Sequence, residues 1–177
     1  MKTLWRSLRR IGLALLLGLL LMLLGAAPAW ASIHTYHEQP GQTTHRSTLS
    51  LRDQRDLAWQ AILFKRYVND DLQGIYLRLV GFPGQVVDRQ PALSVQTGTA
   101  TQWLAPYQVD GQTQVWPDNV AQYDFQSVLA QLPGPLPLTL VVPMAATTPA
   151  QLVVAPYGVA EWLQLSALAS DAEADPS

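Results

Sequence analysis

The chain has 177 residues, thirteen acidic against eleven basic side chains, and no cysteine. The missing cysteine removes thiolate metal centres, iron–sulfur ligation, lipoprotein acylation and thiol nucleophiles together. A slightly negative balance leaves no basic footprint for nucleic acid.

The first segment is a targeting pattern. Lys2, Arg6, Arg9 and Arg10 precede a leucine-rich run from Ile11 to Leu24, and Ala29-Trp30-Ala31 gives the small-x-small cleavage site. This predicts a secretory signal peptide over residues 1–31, on the general secretory route, with cleavage after Ala31. An uncleaved anchor would leave the domain on the same side of the membrane, because the positive end stays inside. Removing residues 1–31 takes away four of the eleven basic side chains and no acidic one. The remainder is distinctly acidic, which argues against docking on anionic lipid. The roughly 146 residues left suffice for one domain, held by its core without disulfides.

Residues 32–46, "SIHTYHEQPGQTTHR", are expected as a polar leader with one short strand. Ser47 to Arg52 alternates and predicts a strand. Leu57 to Val68 has apolar residues on both alternate faces, which fits a strand covered on both sides. "NDDLQG" (69–74) reads as a turn into Gly74–Phe82, making an antiparallel hairpin. Phe82-Pro83-Gly84 ends that strand, with Pro83 and Gly84 suited to the middle of a type II turn.

Short extended pieces are expected at Val86–Val87, Leu93–Val95 and Gln102–Leu104, and a hairpin at Asp110-Gly111. "DFQSVLAQL" predicts a helix with Asp124 as N-cap and Phe125, Val128, Leu129 and Leu132 as its apolar stripe. "PLTLVVPM" and "QLVVAP" are two more strands, and "YGVAEWLQLSAL" is a helix or strand. The fold class is therefore mainly β: one antiparallel domain over 47–166, a sandwich or a partly closed barrel with one or two short packed helices. The acidic end from Ala167 is expected as a disordered tail.

No catalytic constellation emerges. There is no G-x-S-x-G, and the three histidines all fall early, at 34, 37 and 45. His34 and His37 are metal-ligand types beside Glu38, but in a strand they point to opposite faces, so they are weak metal candidates. No cofactor is expected. Scattered carboxylates support a hydrolase only if two converge on a cleft. The binding candidates are Arg78 with its same-face neighbour Tyr76, the tryptophans nearest turns, Trp103 and Trp116, and the charged pair Arg52 and Asp53. Arg78 has two readings. It either pairs with a carboxylate or caps a strand end, or it faces a pocket for an anionic ligand or partner.

"LRDQ" (51–54), "WQAILFK" (59–65), "LRLVGFPG" (77–84) and "EW" (161–162) resemble the cyanobacterial family of unknown function numbered 3122, over roughly Ser47 to Leu165. That resemblance implies a cyanobacterial source, with export leading to the periplasm or the thylakoid lumen. It carries no activity or catalytic residue with it. The expectation is an exported, non-enzymatic accessory or binding domain with a membrane-complex protein as partner. The alternatives are a small-ligand binder using a β-barrel mouth near Arg78, and a carboxylate-dependent hydrolase.

Overall fold

The computed structural model describes residues 33–98, 101–109 and 116–170. The signal peptide expected over 1–31, the Asp110-Gly111 hairpin and residues 171–177 of the acidic tail lie outside these. Among the described residues no helix is long and apolar enough to cross a membrane.

Two antiparallel sheets carry the domain. The first is a meander: β1 (His34–Gln39), β2 (Gln42–Arg52), β3 (Ala58–Val68) and β4 (Asp71–Val80) lie side by side, and β7 (Val120–Asp124) adds to β4. The second has the order β6 (Gln102–Ala105), β5 (Leu93–Gln96), β8 (Leu138–Val142), β9 (Ala150–Val154). The architecture is sandwich-like. The sheets do not close into one barrel, so a barrel mouth near Arg78 does not exist.

Alternation explains the packing. On β3, Trp59, Ala61 and Leu63 point inward, with Leu77 and Leu79 of β4 and Ala121 and Tyr123 of β7. Leu93, Val95, Leu138, Leu140, Val142, Leu152 and Val154 meet them from the second sheet. Two helices complete the core: the short α1 (Gln126–Gln131) and α2 (Pro156–Ala167). Proline suits the first position of α2, where its missing N–H costs nothing. Gly158 lets the helix lie close on β2: a Cβ there would come 2.8 Å from Leu49 Cδ1. Trp162, fully buried, meets Phe125 edge to face at 5.6 Å.

The back of the meander grips the end of α2. Lys65 is buried, and its ammonium donates to the carbonyls of Ser166 and Leu168. The Tyr67 hydroxyl donates to Leu168 O at 3.0 Å, and His45 Nε2 bonds Ala169 O at 3.0 Å. These donors take up carbonyls that a helix end leaves unsatisfied. Positive charge there also suits the helix dipole.

The turns follow their residues. Asn69 and Asp70 both take positive φ, 49° and 68°, in the two-residue hairpin between β3 and β4. At 82–85 the N–H of Gln85 donates to Phe82 O at 3.2 Å, with Gly84 at φ 89°. Several expectations shift. Residues read as a polar leader supply β1 and the start of β2. Val86–Val87 is reduced to a single bridge, Val87 to Met144. Phe125, not Asp124, occupies the N-cap of α1, although Asp124 Oδ1 accepts the N–H of Gln126 at 3.1 Å. The last apolar segment is a helix.

Candidate functional site

The outward face of the five-stranded sheet is built from the even-numbered residues of β2, β3, β4 and β7. Register sets them in rows. Arg46, Phe64, Tyr76 and Asp124 lie across one row; Thr44 and Arg66 share the next; Thr48, Ile62, Arg78 and Gln122 share the row on the other side. Three arginines therefore surround Phe64. Its ring is only 4 % exposed.

The guanidinia lie on aromatic rings. Arg78 sits 5.2 Å from the Phe64 centroid and 4.4 Å from that of Trp116. Arg66 is 5.5 Å from the same Phe64 ring, and Arg46 is 5.9 Å from Tyr36. A cation over a ring is attracted by the quadrupole, and a guanidinium tolerates partial dehydration better than an ammonium. Such stacking holds the planar forks in place while they remain charged.

Arg78 is anchored. Its Nε and Nη2 both donate to Gln122 Oε1, at 3.2 and 2.8 Å. The other wall is positioned from a distance by Arg89. Its Nε donates to Val120 O at 3.0 Å and its Nη2 to Trp116 O at 3.4 Å, and Asn119 Nδ2 donates to Gly81 O at 2.6 Å. These bonds tie down the 116–120 loop and set Trp116 over Arg78. Tyr76 packs against Phe64 at 5.6 Å and donates its hydroxyl to Gln73 O at 2.8 Å.

Arg46 and Arg66 are satisfied less fully. The Nε of each is buried without a hydrogen-bond partner, as is Oγ1 of Thr44. Thr44 is only 3 % exposed. Neither arginine is seen paired with a carboxylate of a described residue, whereas Arg52 pairs with Asp56 and Arg55 with Asp53.

Of the residues singled out in sequence, Arg78, Tyr76 and Trp116 come together on this face. Trp103 does not. It borders an open cleft of about 400 Å³ on the second sheet, lined also by Thr97, Thr101, Gln131, Pro133 and Leu136. No acid is among those residues, so this cleft does not offer the paired carboxylates of a hydrolase. Arg52 and Asp53 lie at the turn after β2. Arg52 forms an exposed pair with Asp56 at 3.1 Å. The Asp53 carboxylate is buried and accepts from Arg55 N at 2.8 Å, Leu57 N at 3.0 Å, Trp59 Nε1 at 3.3 Å and Arg55 Nη2 at 3.2 Å. Burial raises its pKa, but these four donors outweigh burial and hold it below the ordinary aspartate value. That arrangement orders the turn. His34 and His37 point to opposite faces of β1, and among the described residues no three ligating side chains gather to hold a metal.

Sequence reasoning missed Thr44, Arg46, Phe64, Arg66, Arg89 and Gln122. A usable signal existed for Phe64 and Arg66, because both are even-numbered residues of the same β3–β4 hairpin as Arg78; Arg46 lies on β2, outside it. It was hidden because the register of β2 on β3 is not visible before the turn at 53–57 is known.

No curated protein and no solved structure matches the chain. The model of the family described as "Protein of unknown function (DUF3122)" matches residues 31–165, and the chain belongs to that family.

Proposed function

We propose that this protein is an exported, non-enzymatic binding domain that uses the outward face of the five-stranded sheet to hold an acidic surface of a partner protein in a membrane complex. The observation that carries the proposal is the placement of Arg46, Arg66 and Arg78 around Phe64 on one face. The chain as a whole is acidic, so this cationic cluster is a local feature and not a by-product of composition. Charge complementarity of this kind raises encounter rates and selects partners. Aromatic and arginine side chains are also the types that anchor protein interfaces.

The export half rests on Lys2, Arg6, Arg9 and Arg10, the Ile11–Leu24 run and the Ala29–Ala31 pattern. Protein sequencing from the exported fraction should give Ser32 as the first residue. The binding half is tested with tagged protein and solubilised membrane complexes. A partner should be retained by the wild type, lost with Arg46→Glu/Arg66→Glu, and kept with Arg52→Glu, which lies elsewhere. Identical retention by all three proteins, or retention by none, overturns the reading.

A further inference from the structure

We infer that Thr44, Arg46 and Arg66 form a discrete slot for one carboxylate, supplied by an Asp or Glu side chain of the partner. This rests on the binding reading above and names what that face takes hold of.

The unpaired atoms carry the inference. Buried polar groups are almost always hydrogen-bonded. Here three are not: Thr44 Oγ1, Arg46 Nε and Arg66 Nε. They are close neighbours. Thr44 lies directly across from Arg66, and Arg46 is two residues further along the strand on the same face. Directly opposed residues in a sheet have Cβ atoms about 5 Å apart, and diagonal ones about 7–8 Å. All three groups can donate; the two Nε–H groups can do nothing else. What the cluster lacks is therefore an acceptor, and its two positive charges select an anionic one.

Burial narrows the class further. The Nε atoms are buried, so a compact group at the end of a side chain is what fits. A carboxylate offers two oxygens with about four lone-pair sites, enough for three donors. The rings of Tyr36 and Phe64 lie against the two guanidinia. They hold the guanidinium edges in fixed directions, so little side-chain entropy remains to be lost when the anion enters.

Arginine Nε–H groups give their own resonances, so the test reads the slot directly. The ¹⁵N-labelled chain is titrated with the peptide acetyl-Gly-Glu-Gly-amide, with its Gln counterpart and with inorganic phosphate. The Glu peptide should shift the Arg46 and Arg66 Nε–H signals saturably and leave Arg52 unmoved; the Gln peptide should shift neither. Thr44→Val and Arg66→Lys, each checked for an unchanged backbone spectrum, should weaken the Glu peptide by about tenfold, as loss of a hydrogen bond to a charged group does. No saturable shift, a response to phosphate without one to the Glu peptide, or full affinity in both variants overturns the inference. Saturation by the Glu peptide without retention of any membrane partner would leave the carboxylate slot standing and remove the partner reading. Retention lost in Arg46→Glu/Arg66→Glu without peptide saturation would do the reverse.

Discussion

Arg78 and Gln122 stand directly opposite each other on β4 and β7, and the guanidinium closes on the amide oxygen through two donors, at 3.2 and 2.8 Å. Gln122 is 2 % exposed. The pair thus ties β7 to the meander by side chains as well as by backbone. Arg78→Leu removes both donors from a buried amide and takes the cation off Phe64 and Trp116. We expect a stability loss of about 1–3 kcal/mol, the cost of a buried polar group left unmatched, read as a lower urea midpoint. An unchanged midpoint would show that Arg78 serves binding alone.

Asp53 makes folding sensitive to acid. Its pKa is depressed in the folded state, so its contribution is present above the unfolded aspartate value of about 3.9 and is lost as pH falls through the lower folded value. Stability should therefore drop with pH below about 4. Asp53→Asn should be less stable at neutral pH and should flatten that drop. Parallel pH–stability curves for the two proteins would refute this.

Lys65 is buried and aimed at the end of α2. Lys65→Met keeps the length and apolar stem but strips a donor from the carbonyls of Ser166 and Leu168. Tyr67 still serves Leu168. The expected cost is roughly 1–3 kcal/mol, with faster amide exchange over the last turn of α2 than elsewhere. Uniform exchange would place the loss outside the helix end.

Tyr123 behaves in the opposite way. Its ring is fully buried, its hydroxyl has no hydrogen-bond partner, and burial, above all, raises its pKa far above the usual tyrosine value. Tyr123→Phe removes an unsatisfied group and keeps the ring. We expect stability unchanged or slightly higher at neutral pH. A folded pKa above the unfolded one gives a contribution present below pH of about 10 and lost as pH rises beyond it. The Phe variant should therefore resist alkali better. A clear loss of stability at neutral pH would mean that the hydroxyl has a partner.

Much of the fold was legible because its signals are local. Asn69 and Asp70 tolerate positive φ, so the β3–β4 turn could be found from residue type. Arg78 could be placed on the face of Tyr76 and Val80 by alternation alone. Its partner could not be found that way. One of its two readings was a pair with a carboxylate or a strand-end cap; the partner seen is Gln122, which lies opposite because Val120–Asp124, not read as a strand, runs beside β4. Trp59 and Trp162 are core, and Trp103 and Trp116 are partly exposed, as expected of tryptophans near turns. The segment from His34 to Arg46 was the largest misreading. Its threonines and histidines look solvated, yet Thr44 and His45 are buried. Thr44 lies opposite Arg66 and His45 bonds the chain just past α2, and neither of these partners is near in sequence.

The order in which these parts assemble follows from chain separation. Only two residues separate β1 from β2, and two separate β3 from β4. Pairing sequence neighbours costs little loop-closure entropy and goes with fast folding. The second sheet sets β5 beside β8, across a far longer loop. The β2–β4 arginines thus belong to the locally paired part expected to form early, whereas β7 with Gln122, and α2 on the other side, join across long separations. Lys65 and His45 are where that late arrival is latched, on the opposite side of the sheet from the arginines.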